Sequence, residues 1–474
     1  MSLAPLFAVD AVDLFERPVK LRMPFRFGVV TLTAAPQAFV RVRIRLEDGR
    51  QAEGMAAELM APKWFDKNPA LSNDDNFEQL RNALRIAREL YTDGGVDSAF
   101  GHFARHYRAQ IGRGAHQGLN SLVANYGPAL IDRAVLDALC RALHRPFHEV
   151  IRSNLAGIQV TPLTPDLAGF ELDSFLAGLR PAEKIDARHT VGLVDPITAN
   201  DPHDAVGDGL PETLEEVVST YGHRWFKLKV AGNVDADVAR LLRIASVLDR
   251  IDGTYHSTLD GNEQYDSIEG VQQLWQRMRA EAGLQRLCDS VIFIEQPIKR
   301  TAALAQDVSA LSAQKPVILD ESDDTLDAFV QGKERGYLGV SSKTCKGLYK
   351  SILNRARCAR WNALAGDERF IMSAEDLTIQ AGLALQQDLA LVSLLGITHV
   401  ERNGHHYVNG MAALGAGEQQ AFLDAHPDLY ERSHGAVRLR LQGGELHIGS
   451  LHRGAGFASC AAPDWNSLQP IADP

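Results

Sequence analysis

From residue 189 to residue 401 the sequence repeats one unit, a short apolar run of four to seven residues followed by a stretch with helical spacing. The runs are His189 to Asp195, Trp225 to Val230, His256 to Asp260, Val291 to Glu295, Val317 to Asp320, Leu338 to Lys343, Phe370 to Ser373 and Ile397 to Glu401. Between them, Asp235 to Arg250, Ser267 to Glu281, Leu326 to Gly332, Leu348 to Ala363 and Leu377 to Leu395 carry apolar residues at helical period. Eight strands alternating with helices predict an α/β fold, a (β/α)8 TIM-type barrel.

What precedes the repeat has a different order. Gln37 to Leu46 alternates and runs into Glu47-Asp48-Gly49, a strand entering a hairpin turn. Met23 to Gly28 and Glu58 to Pro69 read as loops, and Asn76 to Tyr91, Val96 to Gly112 and Gly127 to His144 as helices. Strands first and helices after predict an α+β capping domain over residues 1–150. Residues 155–188 are broken by Pro162, Pro165, Gly169, Gly178 and Pro181 and read as an insertion or an elaborated first loop. The barrel is expected over 151–430. The tail, 431–474, returns to strand pattern with a hairpin near Val437 to Gly444 and is expected to complete the cap.

Composition narrows the function classes. Hydrophobic residues make up 45% and charged residues 23%, and a net charge of −11 is spread along the chain. That balance argues against nucleic-acid or anionic-membrane partners. Five scattered cysteines without a C-x-x-C spacing predict reduced thiols, and with no signal-peptide pattern the expected location is cytoplasmic. P-loop, G-x-G-x-x-G, H-E-x-x-H and G-x-S-x-G motifs are absent from the sequence.

The chemistry collects at strand ends. In Trp225-Phe226-Lys227-Leu228-Lys229, alternation puts Trp225, Lys227 and Lys229 on one face. Two ammonium groups in one barrel interior would each lose a proton more easily, through burial and mutual repulsion. Asp260, Glu295 and Asp320 end three successive strands. Three carboxylates at one mouth repel unless a cation lies between them, and all-oxygen ligands favour Mg2+, with Mn2+ as the alternative. Lys343 ends the next strand, and the small Gly339 and Ser341 beneath it leave its side chain room to cross the barrel.

The order K-x-K, D-x-N, I-E-Q-P, D-E-S and K resembles the enolase superfamily, in its muconate-lactonizing-enzyme-like subgroup (the mandelate racemase/muconate lactonizing enzyme family). Here it is carried by Lys227 and Lys229, Asp260 and Asn262, Ile294 to Pro297, Asp320 to Ser322, and Lys343. The resemblance implies that Asp260, Glu295 and Asp320 bind Mg2+ and that Lys229 and Lys343 are opposed acid/base groups. Lys227 would support Lys229 and the substrate carboxylate. Asn262, Glu263, Glu321 and Glu375 would surround the ligands, with Glu321 alternating away from Asp320. Phe25, Phe27 and Glu401 are the expected substrate contacts, the aromatic pair in a capping stretch Phe25 to Val29 that works with Met60 to Asp66.

The implied enzyme, an isomerase or lyase, removes a proton α to a carboxylate through an enediolate, giving racemization or epimerization, cycloisomerization or elimination. The substrate is expected to be a small-molecule carboxylate and the protein a homo-oligomer. Alternatives are an acid-sugar dehydratase of the same superfamily, a metal-retaining barrel that only binds a carboxylate, and a phosphoryl-transfer barrel, which the missing Gly-rich loop disfavours. Where dipeptide epimerases carry an acidic pair after strand eight, this sequence has Glu401-Arg402-Asn403. His405 and His406 just beyond read as surface loop residues.

Overall fold

A computed structural model of the protein describes residues 4–28 and 30–473. The cap is built on an antiparallel sheet of β1 (Phe7–Phe27), β2 (Val30–Leu46) and β3 (Gln51–Leu59), with Gln469–Pro470 of the tail and Val96–Asp97 both paired to β1. Met23 to Phe27, expected as a loop, continues β1 to a hairpin tip, with a register shift between Lys20 and Phe25 absorbing Pro24. Three helices cover the sheet: α1 (Asn73–Thr92), α2 (Ala99–His116) and α3 (Ser121–Ala142).

Helix α3 is buried almost all round. It begins six residues before the sequence suggested, at the Asn120 cap, and runs through Pro128. Proline has no N–H to give the carbonyl four residues back. Here Gln110 Nε2 donates to that carbonyl, Ala124 O, at 2.9 Å, so the helix passes the proline with the acceptor satisfied. Gly54 of β3 permits the close contact with α3, since a Cβ there would lie 2.1 Å from Ala134 O.

The barrel strands are Lys184–Val191, Trp225–Lys229, His256–Asp260, Val291–Glu295, Val317–Leu319, Gly339–Ser342, Ile371–Ala374 and His399–Glu401. They are parallel and neighbour one another in chain order, the eighth returning to the first. Among the described residues the seventh and eighth strands share no ladder pair. Side chains cross that seam: Arg188 donates to Ser373 Oγ and Ala374 O at 3.0 Å, and lies against His399.

The first barrel strand corrects the expected one. It starts at Lys184, within the stretch whose prolines and glycines suggest an insertion, and it ends before 192–195, which form a turn. Its inward residues include Arg188 and Thr190, both partnered by acids, so an apolar run is not its signature. Residues 155–183 pass over the outside of the barrel, where Asp166 pairs with Arg357 at 2.8 Å. The tail makes a hairpin at Tyr430–Ser433 and Ala436–Leu439 and a second turn at Gly443-Gly444. It adds Glu445–His447 antiparallel to the first barrel strand before it reaches the cap. No described helix is long and apolar enough to cross a membrane.

Candidate functional site

The second barrel strand sends Trp225, Lys227 and Lys229 inward, as alternation requires. Trp225 floors the site, stacked on His399 at 4.3 Å and near His256 at 4.2 Å between ring centroids. Above it the buried Lys227 Nζ stands between four carboxylates, 2.9 Å from Asp260, 2.8 Å from Glu295, 2.8 Å from Glu375 and 3.0 Å from Glu401. Lys229 Nζ lies 2.5 Å from Asp260 Oδ2. Lys343, from the end of the sixth strand, mirrors it with Nζ 2.5 Å from Asp320 Oδ2. In an eight-stranded barrel the second and sixth strands are diametrically opposed, so the two lysines enter from opposite walls.

Electrostatics here run against the expectation from sequence. Burial opposes the charge on Lys227, yet Asp260, Glu295, Glu375 and Glu401 together hold its pKa well above the ordinary lysine value. Lys343 is raised as well, burial being outweighed by Asp320. Asp320 is held below the usual carboxylate range because Lys343 and Lys346 overcome its burial. Glu295 is pushed well above its ordinary value by burial, then by Asp260 and Glu375. Repulsion between lysines is thus outweighed by acids that the sequence placed on other strands.

The surroundings suit a hard cation. Glu295 Oε1 accepts from Lys227 at 2.9 Å, while Oε2, although near the same ammonium, receives no well-directed hydrogen bond. Glu321 Oε2 and Asn262 Oδ1 are likewise buried without a donor. Orphaned acceptors of this kind fit a divalent ion with oxygen ligands. Asp260, Glu295 and Asp320 nevertheless do not stand at ligand spacing. The one described group of His, Cys, Asp and Glu that does is elsewhere. Lysine ammonium groups hold these carboxylates.

The I-E-Q-P segment supplies a brace. Gln296, with φ of 31°, accepts from Asp320 N at 2.9 Å and Ser322 N at 3.1 Å, and donates to Ser322 Oγ at 2.7 Å. Glu321 does not alternate away from Asp320 as expected. The strand ends at Leu319, so both side chains are buried at the mouth, Glu321 accepting from Asn262 Nδ2 at 3.1 Å.

A lid closes the mouth. Phe25, Phe27 and Leu32 of the β1–β2 hairpin and Ala61 and Trp64 of the following loop enclose, with Lys227, Lys229, Lys343 and Glu401, a cavity of about 20 Å³. Trp64 lies over the Lys343 ammonium at 4.4 Å. Val29, expected in this stretch, lies outside the described residues. Arg300 donates to Trp64 O at 2.8 Å, Phe65 O at 3.0 Å and Glu263 Oε2 at 2.8 Å, and Lys67 pairs with Glu263 at 2.5 Å.

Glu263 thus anchors the lid, and its partner Lys67 also lies 3.7 Å from Glu321 Oε1 and donates to Asn262 O at 2.8 Å. Glu401 borders the cavity with its oxygens committed to Thr190, Asn403, Lys227 and Asp376 N. Sequence reasoning missed Arg188, Lys346, Lys67 and Arg300, whose partners lie on distant segments. A further correction concerns His405 and His406, which are buried rather than on the surface.

No family model matches the sequence, and no curated protein matches it. Solved structures match the fold. A muconate lactonizing enzyme from Pseudomonas fluorescens, complexed with muconolactone, is 17% identical, with a TM-score of 0.60 over 97% of this chain and 98% of that one. A 2-chloromuconate cycloisomerase from Rhodococcus opacus is 17% identical, with a TM-score of 0.55 over 97% of this chain and 98% of that one. The L-Ala-D/L-Glu epimerase of Bacillus subtilis is 14% identical, with a TM-score of 0.56 over 93% of this chain and 98% of that one. The chain has the fold of the enolase superfamily, a cap over a TIM-type barrel.

Proposed function

We propose that this chain is a divalent-metal-dependent isomerase or lyase of the enolase-superfamily type, abstracting the proton α to the carboxylate of a small substrate. The observation that carries the proposal is the placement of Lys229 and Lys343 on opposed strands, both facing one lidded cavity. Asp260, Glu295 and Asp320 would hold Mg2+, or alternatively Mn2+, which when bound supplies positive charge to the substrate carboxylate and offsets the charge that develops as the proton leaves.

The chain's own groups do the remaining work. Lys229 and Lys343 are hydrogen-bonded to the two aspartates, Asp260 and Asp320 respectively. With those carboxylates engaged elsewhere, both amines would be free to turn toward the substrate. One lysine then takes the proton, and the other returns one from the opposite face or stabilises charge. Lys227, fixed among four acids, is a positioning group. The lid excludes water. Its Phe25, Phe27, Leu32 and Trp64 favour a carboxylate with an apolar or planar body over a polyhydroxylated acid sugar. A substrate ammonium finds no free acid in Glu401, which disfavours dipeptides. A homo-oligomer without nucleic-acid or membrane partners belongs to the same proposal.

The test is exchange of the α-proton with deuterated water, across acid sugars, N-acyl amino acids and muconate-like acids. In a racemase or epimerase, Lys343→Ala should still exchange one enantiomer and Lys229→Ala the other, while interconversion falls by roughly 10²–10⁴-fold. A cycloisomerase or lyase should lose exchange with one variant only. Full activity in both variants would sink the proposal.

A further inference from the structure

Behind the wall of the barrel, away from the lysines, lies a second cluster of chemistry-bearing side chains. Arg188 and Thr190 of the first barrel strand bond to acids inside the barrel, so the intervening His189 points outward. It meets His223, from the turn before the second strand, and His405, from the short helix Gly404–Tyr407 after the eighth. Ring centroids are 5.4 Å apart for His189 and His223, 5.7 Å for His223 and His405, and 6.1 Å for His189 and His405. One nitrogen from each ring lies within 4.8 Å of the other two.

These rings are at least nine-tenths buried, and each has a nitrogen without a partner. His189 Nδ1, His223 Nε2 and both ring nitrogens of His405 have no hydrogen bond, and neither has Nδ1 of the adjacent His406. Buried polar atoms are ordinarily paired, and here three adjoining rings each leave a nitrogen unpaired. His223 shows the arrangement expected of a ligand. Its Nδ1 lies 2.9 Å from Ala187 O, which fixes the proton there and leaves Nε2 as a lone pair without a partner. Burial also keeps the rings neutral, pushing the pKa of His223 down to about 4. Neutral imidazole is the form that binds metals.

We propose that His189, His223 and His405 form a tri-imidazole site for a divalent transition-metal ion of the Zn2+ class, separate from the carboxylate site inside the barrel. Three imidazoles with no carboxylate suit Zn2+ and its borderline neighbours, not Mg2+. A tetrahedral ion with Zn–N bonds of about 2.0 Å sets its nitrogens roughly 3.3 Å apart, so the rings need to close by roughly 1.5 Å at most. His405 borders a cavity of about 740 Å³ that also reaches Tyr221, giving the ion a way in and room for a water as fourth ligand. The ion would tie together three segments separated by more than thirty residues each, including the turn that follows Glu401.

The experiment uses full-length protein without a histidine tag, stripped with chelator and titrated with ZnCl2 and separately with CoCl2 in saturating Mg2+. The expected result is one equivalent of Zn2+ bound despite the Mg2+, tetrahedral Co2+ absorption, and a Zn2+-dependent rise in melting temperature. His223→Gln and His405→Gln should each weaken Zn2+ binding by more than about 100-fold, the upper end for loss of a mere outer partner. Asp260→Asn should bind Zn2+ like the parent. Absence of stoichiometric Zn2+ binding by the parent would overturn the proposal. So would Zn2+ binding that survives in both histidine variants, or that disappears in Asp260→Asn. If a histidine variant does not fold, the melting shift and Co2+ spectrum of the parent and of Asp260→Asn decide the matter.

Discussion

Lys227 shows how one side chain can stand at the centre of a candidate site and be locked in its charged form by its neighbours. Its ammonium neutralises acids from four other strands, and those acids keep it protonated. Removing one partner from a buried ionic cluster leaves uncompensated charge, at a cost of roughly 3–5 kcal/mol. Lys227→Met keeps much of the volume and removes the charge. Its urea midpoint in chelator should drop accordingly, and added Mg2+ should restore part of the loss by replacing the missing positive charge. A variant as stable as the parent without metal would show that the acids are protonated and that Lys227 is not their counter-ion.

At the scale of elements, the loop bearing Trp64 is held by side chains from the barrel, with Arg300 reaching two of its carbonyls. Arg300→Ala should loosen the lid, speed proteolytic cleavage in residues 60–72 and lower kcat/KM by up to about 100-fold, the scale of a small misplacement in a closed site. Unchanged cleavage would mean that the lid is held by its aromatic packing alone. The helix Ala416–Ala425 ends on His426, a fully buried ring whose Nδ1 lies 3.0 Å from Ser450 Oγ. Burial lowers its pKa from 6.5 to about 4. Between those values the unfolded chain binds the proton and the folded one does not, so stability rises with pH through this window and is lost as pH falls. His426→Gln should show a shallower loss of urea midpoint between pH 6.5 and 4, by at most about 1.4 kcal/mol per pH unit. Parallel curves for the two proteins would exclude this histidine as a source of acid sensitivity.

The whole molecule is held by its tail, which pairs with the barrel at Glu445–His447 and with the cap at Gln469–Pro470. Between these contacts Phe457 stacks on Phe147 with centroids 3.8 Å apart, and Phe457 N donates to Asp137 Oδ1 of α3 at 2.7 Å. The same carboxylate accepts from Met55 N of β3 at 2.9 Å, so one buried acid joins cap sheet, cap helix and tail. Phe457→Ala should cost roughly 3–5 kcal/mol of stability, measured by denaturant unfolding, while leaving metal affinity at the barrel mouth as in the parent. A large change in that affinity would mean that the tail shapes the site as well as the scaffold.

Strand alternation and strand ends make much of this protein legible in its sequence. Period two alone placed Trp225, Lys227 and Lys229 together, and the ends of apolar runs marked Asp260, Glu295 and Lys343. These are local properties of the chain, and local patterns survive folding. Where the inward face is itself charged, as at Arg188, the apolar signal fails and the strand is misplaced. Where a distant side chain mends a local defect, as Gln110 does for Pro128, the helix outruns its own sequence. Only the folded structure decided that acids would outweigh repulsion between lysines, that Lys67 and Arg300 would latch a lid, and that His189, His223 and His405 would meet. Each depends on which distant segments become neighbours, and burial then sets the strength of their charges.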